Sequence, residues 1–96
     1  MFSYKVFKVQ KEVLVAVCDK ELLGEKLEWE PEFEVKESFY GGKTCKELEL
    51  KKILEEATII NAVGNRIVEF LIKENFVNEK NVLKIGGVLH AQVVTL

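Results

Sequence analysis

The sequence has few of the residues from which recognisable sites are usually built. Its 96 residues include one histidine, one proline and two cysteines, Cys18 and Cys45. The cysteines form no C-x-x-C pair and one histidine cannot complete a zinc set, so we expect no metal, no cofactor and no disulfide. No apolar run has the length of a membrane span, and no signal peptide is recognisable. We therefore expect a cytoplasmic protein with no membrane segment.

Charge and hydrophobic content limit the kinds of partner and the number of domains that we expect. The net charge is −2 and the pI is about 5.5, so the chain lacks the basic character of a typical nucleic-acid binder and nothing in it points to DNA. The charged residues are nearly all lysine and glutamate, a bias that resembles hyperthermophile proteins. A hydrophobic content of 48% is enough for one core. We expect a single domain over residues 1–96.

The amino-terminal part is predicted to form strands. Phe2 to Val9 alternates and Val13 to Cys18 is β-branched, so the two are predicted to pair around a turn at residues 10–12, with the second strand central. Asp19 is predicted to cap a short helical turn that ends at Gly24.

An acidic ribbon follows. Strict alternation from Leu27 predicts a strand, and Pro31 within it is typical of a sheet edge. The segment from Glu28 to Glu34 is therefore predicted to form an exposed edge. Its carboxylates would repel nucleic acid, which would have to bind elsewhere.

A glycine pair precedes the first predicted long helix. Thr44 and Glu47 have the spacing of a capping box that opens this helix. The Gly-Lys-Thr segment is not a P-loop, because that motif requires glycine at position 37, which is glutamate. Two interpretations remain for Gly41, Gly42 and Thr44: an anion site completed by the first helical amides, or a plain turn and cap.

The pattern from Ala57 to Phe70 predicts a helix with a broad apolar arc. With the preceding helix it would form a block from Lys46 to Glu74, packed on one face of the sheet. The apolar residues expected at that contact are Ile53, Ile60, Val63, Ile67 and Leu71. Asn61 falls among them and must find a hydrogen-bond partner. Together with the strands at both ends, this block predicts an α+β fold with a mostly antiparallel sheet of five or six strands.

The carboxyl-terminal part carries turn signals. Asn75 is predicted to end the helix in the left-handed conformation, with Phe76 folding back on it. Val82 to Ile85 and Val88 to Thr95 are predicted to form a hairpin around Gly86 and Gly87, because paired glycines permit the positive φ of primed turns.

Three segments together resemble a known family. Phe39 to Gly42, Ala57 to Gly64 and Ile85 to Val93 are similar to the small archaeal proteins grouped as domain of unknown function 424. The similarity extends over nearly the whole chain. It implies an archaeal cytoplasmic protein, but the family has no established activity to transfer.

Two functional hypotheses remain open. The first is a non-catalytic binding or interaction domain with a protein or RNA partner, because no Ser/His/Asp order and no paired carboxylates are recognisable. The second is a small-ligand-binding protein or enzyme with a polar cluster around Asn61 and His90. Its candidate residues are Asn61, Asn65, Arg66, Gly86, Gly87, His90 and Gln92. The alternative for these residues is structural: an amide and a histidine that hydrogen-bond their neighbours.

Overall fold

The computed structural model describes residues 1–28 and 32–95. The strands are β1 (Phe2–Val9), β2 (Glu12–Asp19), β3 (Lys26–Leu27), β4 (Phe33–Glu34), β5 (Lys43–Cys45), β6 (Ile59–Val63), β7 (Val82–Ile85) and β8 (Val88–Val94). The helices are α1 (Glu37–Tyr40), α2 (Glu47–Glu55) and α3 (Asn65–Lys73). Short 3-10 turns cover Lys20–Leu22 and Glu79–Asn81.

Six of the strands form one sheet in the order β5-β1-β2-β6-β8-β7. Its neighbouring strands are antiparallel except for β2 and β6, which run parallel. Strands β3 and β4 form a separate antiparallel pair. The predicted α+β fold with a mostly antiparallel sheet of five or six strands is confirmed, and the sheet has six.

The helical block predicted from Lys46 to Glu74 is present only as the two helices α2 and α3, because its middle part is strand β6. Ile59–Val63 lies inside the sheet, paired with β2 on one side and with β8 on the other. An interior strand covered on both faces has a nearly continuous apolar sequence, and such a run also satisfies a helical period. The helix expected over Ala57 to Phe70 therefore begins only at Asn65.

Each face of the sheet carries its own core. Helices α2 and α3 pack on one face, which we call the helix face, where Ile60, Ile67 and Leu71 are buried as expected. Val63 points to the opposite face, which is covered by residues from the ranges 22–27 and 33–40. The buried hydrophobic residues on this second face are Ala16, Cys18, Leu27, Val35, Tyr40, Val63 and Ile85. The strand periodicity of two places alternate residues of β6 in different cores.

The predicted hairpins and helix end are confirmed. β1 and β2 pair along their whole length, and Gln10 in the turn has a φ of 57°. Gly86 and Gly87 have φ values of 55° and 80° between β7 and β8. After α3, Asn75 has a φ of 63°, and the N–H of Phe76 donates to the Leu71 carbonyl at 2.8 Å.

The acidic ribbon does not form one strand at an edge of the large sheet. Its ends belong to the separate β3 and β4 pair, in which Leu27 lies opposite Phe33. The side chains of Glu28, Glu32 and Glu34 are exposed. The part of the prediction that concerns Trp29, Glu30 and Pro31 lies outside the described residues.

Candidate functional site

An open depression lies over the outer strands β7 and β8, on the second face of the sheet. Its volume is about 510 Å³ and its lining residues are Lys80, Asn81, Leu83, Ile85, His90 and Gln92. Leu83 pairs directly with His90, and Gln92 is two residues further along β8, so alternation brings all three side chains to one face. The 3-10 turn before β7 adds Lys80 and Asn81 at the border. We call this group of six residues the His90 depression.

His90 is the buried polar residue of this depression. It is only 7% exposed, and its ring lies edge-on to that of Phe33 with 5.8 Å between centroids. The His90 ring makes no hydrogen bond to any described residue. Among the described residues, every side-chain nitrogen or oxygen that is fully enclosed has a hydrogen-bond partner, so the His90 ring nitrogens cannot both be enclosed. A ring nitrogen therefore reaches accessible space. Burial lowers the pKa of His90, so near neutral pH the ring is uncharged and offers one donor and one acceptor.

Asn61 lies on the same face of the sheet as His90, but in a strand and not on a helix as predicted. It is paired directly with Gln92 across β6 and β8. The Tyr40 hydroxyl donates to its Oδ1 at 2.6 Å. This bond satisfies the amide oxygen and attaches the end of α1 to the sheet. Asn61, His90 and Gln92 therefore share one face, with Asn61 held by Tyr40.

Asn65 joins helix α3 to the last hairpin. Its Oδ1 accepts a hydrogen bond from the backbone N–H of Leu89 at 2.9 Å. The turn of Gly86 and Gly87 lies against Glu28. A Cβ at position 86 would be 2.8 Å from the Glu28 carbonyl oxygen. Asn65 and the two glycines are not among the residues that line the His90 depression.

Arg66 belongs to a second polar cluster, located where the parallel strands β2 and β6 end. Its guanidinium pairs with the Glu21 carboxylate and donates to the Met1 carbonyl at 3.2 Å. It also lies over the Phe2 ring, 5.2 Å from the centroid. The structure therefore places Arg66 in a tie to the amino-terminal segment, and Arg66 does not line the His90 depression.

The predicted helical turn after Asp19 is present at Lys20–Leu22, but the Asp19 side chain makes no capping bond to it and caps helix α3 instead. Its carboxylate accepts the N–H groups of Arg66 at 3.0 Å and Ile67 at 2.8 Å. An anionic acceptor at a helix amino terminus satisfies free amides and interacts well with the helix dipole. The parallel pairing of β2 and β6 brings this carboxylate to the helix, and the one-dimensional sequence carries no signal for that pairing.

The predicted capping box at Thr44 and Glu47 is wrong. Thr44 lies in β5 opposite Ser3, and pairing with β1 extends the strand through Cys45. Helix α2 begins at Glu47, and the Glu49 carboxylate accepts the Lys46 N–H at 3.5 Å. Gly41 ends α1, Gly42 precedes β5 and Thr44 lies within β5. The anion site suggested for these three residues stays a prediction.

The two cysteines are buried and reduced. Burial raises the pKa of Cys18 to about 12 and that of Cys45 to about 11. A protonated thiol is a weak nucleophile and a poor metal ligand. Within residues 1–28 and 32–95, no three His, Cys, Asp or Glu side chains are grouped as a metal ion would require.

Comparison with known proteins identifies the family. The family described as "Protein of unknown function (DUF424)" matches residues 7–96. The chain belongs to this family. The crystal structure of an uncharacterized conserved protein from Methanopyrus kandleri has a TM-score of 0.80 with it at 22% identity, covering 99% of this chain and 93% of that chain. The DUF424 resemblance of the sequence is confirmed, and the archaeal structure shows the same fold.

No curated protein matches the chain. None of the helices in the described ranges is long and apolar enough to cross a membrane.

Proposed function

We propose that this DUF424 protein is a non-catalytic binding domain and that the His90 depression holds a small organic anion with an apolar portion. The observation that carries the proposal is His90, a nearly buried imidazole whose ring has no hydrogen-bond partner among the described residues. Buried polar groups are hydrogen-bonded in the great majority of cases. Because a ring nitrogen of His90 reaches accessible space, a ligand in the adjoining depression can hydrogen-bond to it in place of solvent.

The other lining residues indicate what kind of ligand fits. Lys80 supplies the positive charge, and the side-chain amides of Asn81 and Gln92 each supply donors and an acceptor. Leu83 is 61% exposed and Ile85 lies beside it on the same face of β7. A carboxylate or phosphate near Lys80, joined to an apolar group over Leu83, would use both parts of the depression.

The reactive groups elsewhere have structural roles, which supports binding over catalysis. General acid–base or nucleophilic chemistry needs a second group positioned beside the first. The Asp19 carboxylate is bound to helix amides, the Tyr40 hydroxyl is bound to Asn61, and both thiols stay protonated. Among the described residues, those of the His90 depression include no carboxylate, no hydroxyl and no thiol.

The proposal includes a cytoplasmic location. Cys18 and Cys45 are buried in different cores on opposite faces of the sheet, so a disulfide between them would require the fold to open. Free buried thiols are typical of a reducing compartment.

The test is a calorimetric titration with benzoate, a carboxylate joined to an apolar ring, against benzamide, its uncharged analogue. We expect benzoate to bind the wild-type protein and benzamide to bind about tenfold more weakly, because benzamide lacks the charge that faces Lys80. Lys80→Gln should weaken benzoate binding by about the same factor. Lys84→Gln is the matched control, since Lys84 is exposed on β7 but points to the opposite face.

Two results would overturn the proposal. One is equal loss of benzoate binding in the Lys80 and Lys84 variants, which would mean that the charge acts without a defined site. The other is no benzoate binding together with Lys80-dependent binding of single-stranded RNA, in which case the depression would serve an RNA partner.

A further inference from the structure

Strand β1 is longer than the strand that covers its outer edge. β1 comprises eight residues, whereas β5 pairs only with Phe2, Ser3 and Tyr4. Gly42, just before β5, has a φ of 126°. The residues that precede it form α1, which lies against β1 but is not a strand of the sheet. The outer backbone edge of Lys5 to Val9 therefore has no strand partner among the described residues.

The side chains of this open edge are accessible and partly apolar. Val6 is 37% exposed and Val9 is 65% exposed. Val6 borders a depression of about 570 Å³ on the helix face, whose lining residues are Val6, Lys8, Val13, Val15, Lys43, Ile53 and Glu56. Val6 also borders a second, smaller depression beside Tyr4 and Gly42. Apolar surface thus adjoins the free backbone groups.

The charge along this edge is mainly positive. Lys5, Lys8 and Lys43 are exposed, and within residues 1–28 and 32–95 none of them has a carboxylate within 4.0 Å. The Lys5 ammonium donates to the Ser38 carbonyl at 3.2 Å and lies 5.3 Å from the centroid of the Phe7 ring. Glu56 is the acidic residue of the larger depression.

We propose that the outer edge of Lys5 to Val9 is a docking site for an acidic extended segment of a partner protein, which adds to the sheet as a strand in line with β5. Strand β1 lies near one edge of the sheet, whereas the His90 depression lies over β7 and β8 at the other edge. The inference is therefore independent of the proposed function.

The geometry fits strand addition. Five residues of β1 present about 17 Å of edge, at the usual rise of a strand, which is enough for a short ladder of backbone hydrogen bonds. Side chains of the added strand would alternate between the helix face, next to Val6 and Lys8, and the second face, next to Phe7 and Val9. An acidic segment with interspersed apolar residues matches both surfaces.

The charge selects this occupant over a second copy of the chain. Two β1 edges paired with each other would bring lysines from both copies together, and like charges at a sheet edge oppose such pairing. An acidic segment removes that repulsion and gains attraction from the same residues.

The test uses synthetic peptides: an acetylated and amidated hexamer of alternating glutamate and valine, the same hexamer with lysine in place of glutamate, and two N-methylated forms of the glutamate hexamer, one for each alternate set of amides. We expect the glutamate hexamer to bind and to slow hydrogen exchange within residues 5–9. The lysine hexamer should bind at least about tenfold more weakly because of charge. The N-methylated form whose methyl groups lie on the amides that face β1 should also bind about tenfold more weakly.

Protein variants locate the contact. Lys8→Glu and Lys43→Glu should each weaken binding of the glutamate hexamer about tenfold. Lys84→Glu should not, although Lys84 is an exposed lysine on β7, the strand at the other edge of the sheet. Thermal unfolding of each variant verifies that the fold is retained.

Three outcomes would overturn the inference. Undiminished binding of both N-methylated forms would show electrostatic attraction without strand addition. Equal losses in the Lys43 and Lys84 variants would show that no particular edge is used. Slowed exchange of residues 5–9 that depends on protein concentration and needs no peptide would make a second copy of the chain the occupant.

Discussion

Gly64 and Asp19 are fitted to each other: a Cβ at position 64 would lie 2.5 Å from Cγ of Asp19 and 2.7 Å from each carboxylate oxygen. Gly64 also has a φ of 131°. Because the residue has no side chain, the Asp19 carboxylate can approach the first amides of α3. One contact therefore connects the ends of β2 and β6 to the start of a helix.

Gly64→Ala should destabilise the protein by about 3 kcal/mol or more, because backbone strain and a collision with a buried carboxylate act together. Gly24→Ala is the matched control, since Gly24 has a φ of 87° but nothing within 4 Å of a Cβ. It should cost only the strain, about 1 kcal/mol. Urea unfolding measures both values. Equal losses in the two variants would show that the contact with Asp19 contributes nothing.

The bond between Tyr40 and Asn61 should contribute about 1 kcal/mol, as a typical intramolecular hydrogen bond does. We expect Tyr40→Phe and Asn61→Ala each to destabilise the protein, and the double variant to lose less than the sum. The double-mutant cycle from urea unfolding isolates the interaction. Strictly additive losses would mean that the two side chains are not coupled.

Stability should fall at alkaline pH because the folded protein keeps Cys18 protonated. The thiol is fully buried, and its pKa is raised from 9.0 to about 12, chiefly by burial and further by the Asp19 charge. Since the folded pKa lies above the unfolded pKa, this contribution is complete below pH 9 and is lost as the pH rises toward 12. Urea unfolding at about pH 8 and about pH 10.5 measures the loss.

Cys18→Ala tests the assignment of this pH dependence. The variant should be less stable than the wild type near neutral pH, because a buried side chain becomes smaller. Its stability should nevertheless decline less between the two pH values. An unchanged decline would assign the effect to other groups, such as Tyr40, whose pKa is also raised by burial.

Short sequence patterns predicted the turns and helix ends of this chain. They did not predict secondary structure that depends on pairing between strands far apart in sequence. The turn at Gly86 and Gly87 and the helix end at Asn75 depend on the φ preferences of single residues, so both were predictable. The segment Ile59–Val63 fits a helical and a strand period equally well. Its parallel partner β2 lies more than forty residues earlier, and that partner decides in favour of the strand.

The candidate site was predictable to a similar degree. Alternation along the last strand is by itself enough to place His90 and Gln92 on one face. Asn61 lies on the same face, but it does so because it is in strand β6 and not in the expected helix. Lys80 and Asn81 border the depression only because the 3-10 turn precedes β7, and nothing in their local sequence indicates a binding role. Arg66 pairs with Glu21 and therefore does not line the His90 depression.

The proposed binding site is tested most directly by the pKa of His90 with and without benzoate. The chain contains one histidine, so its ring proton resonance in an NMR pH titration is assigned without ambiguity. Without ligand the pKa should lie below 6.5, because burial disfavours the charged ring. Benzoate in the His90 depression should raise that pKa, since a neighbouring carboxylate stabilises the imidazolium. An unchanged pKa at high benzoate concentration would contradict the proposed site.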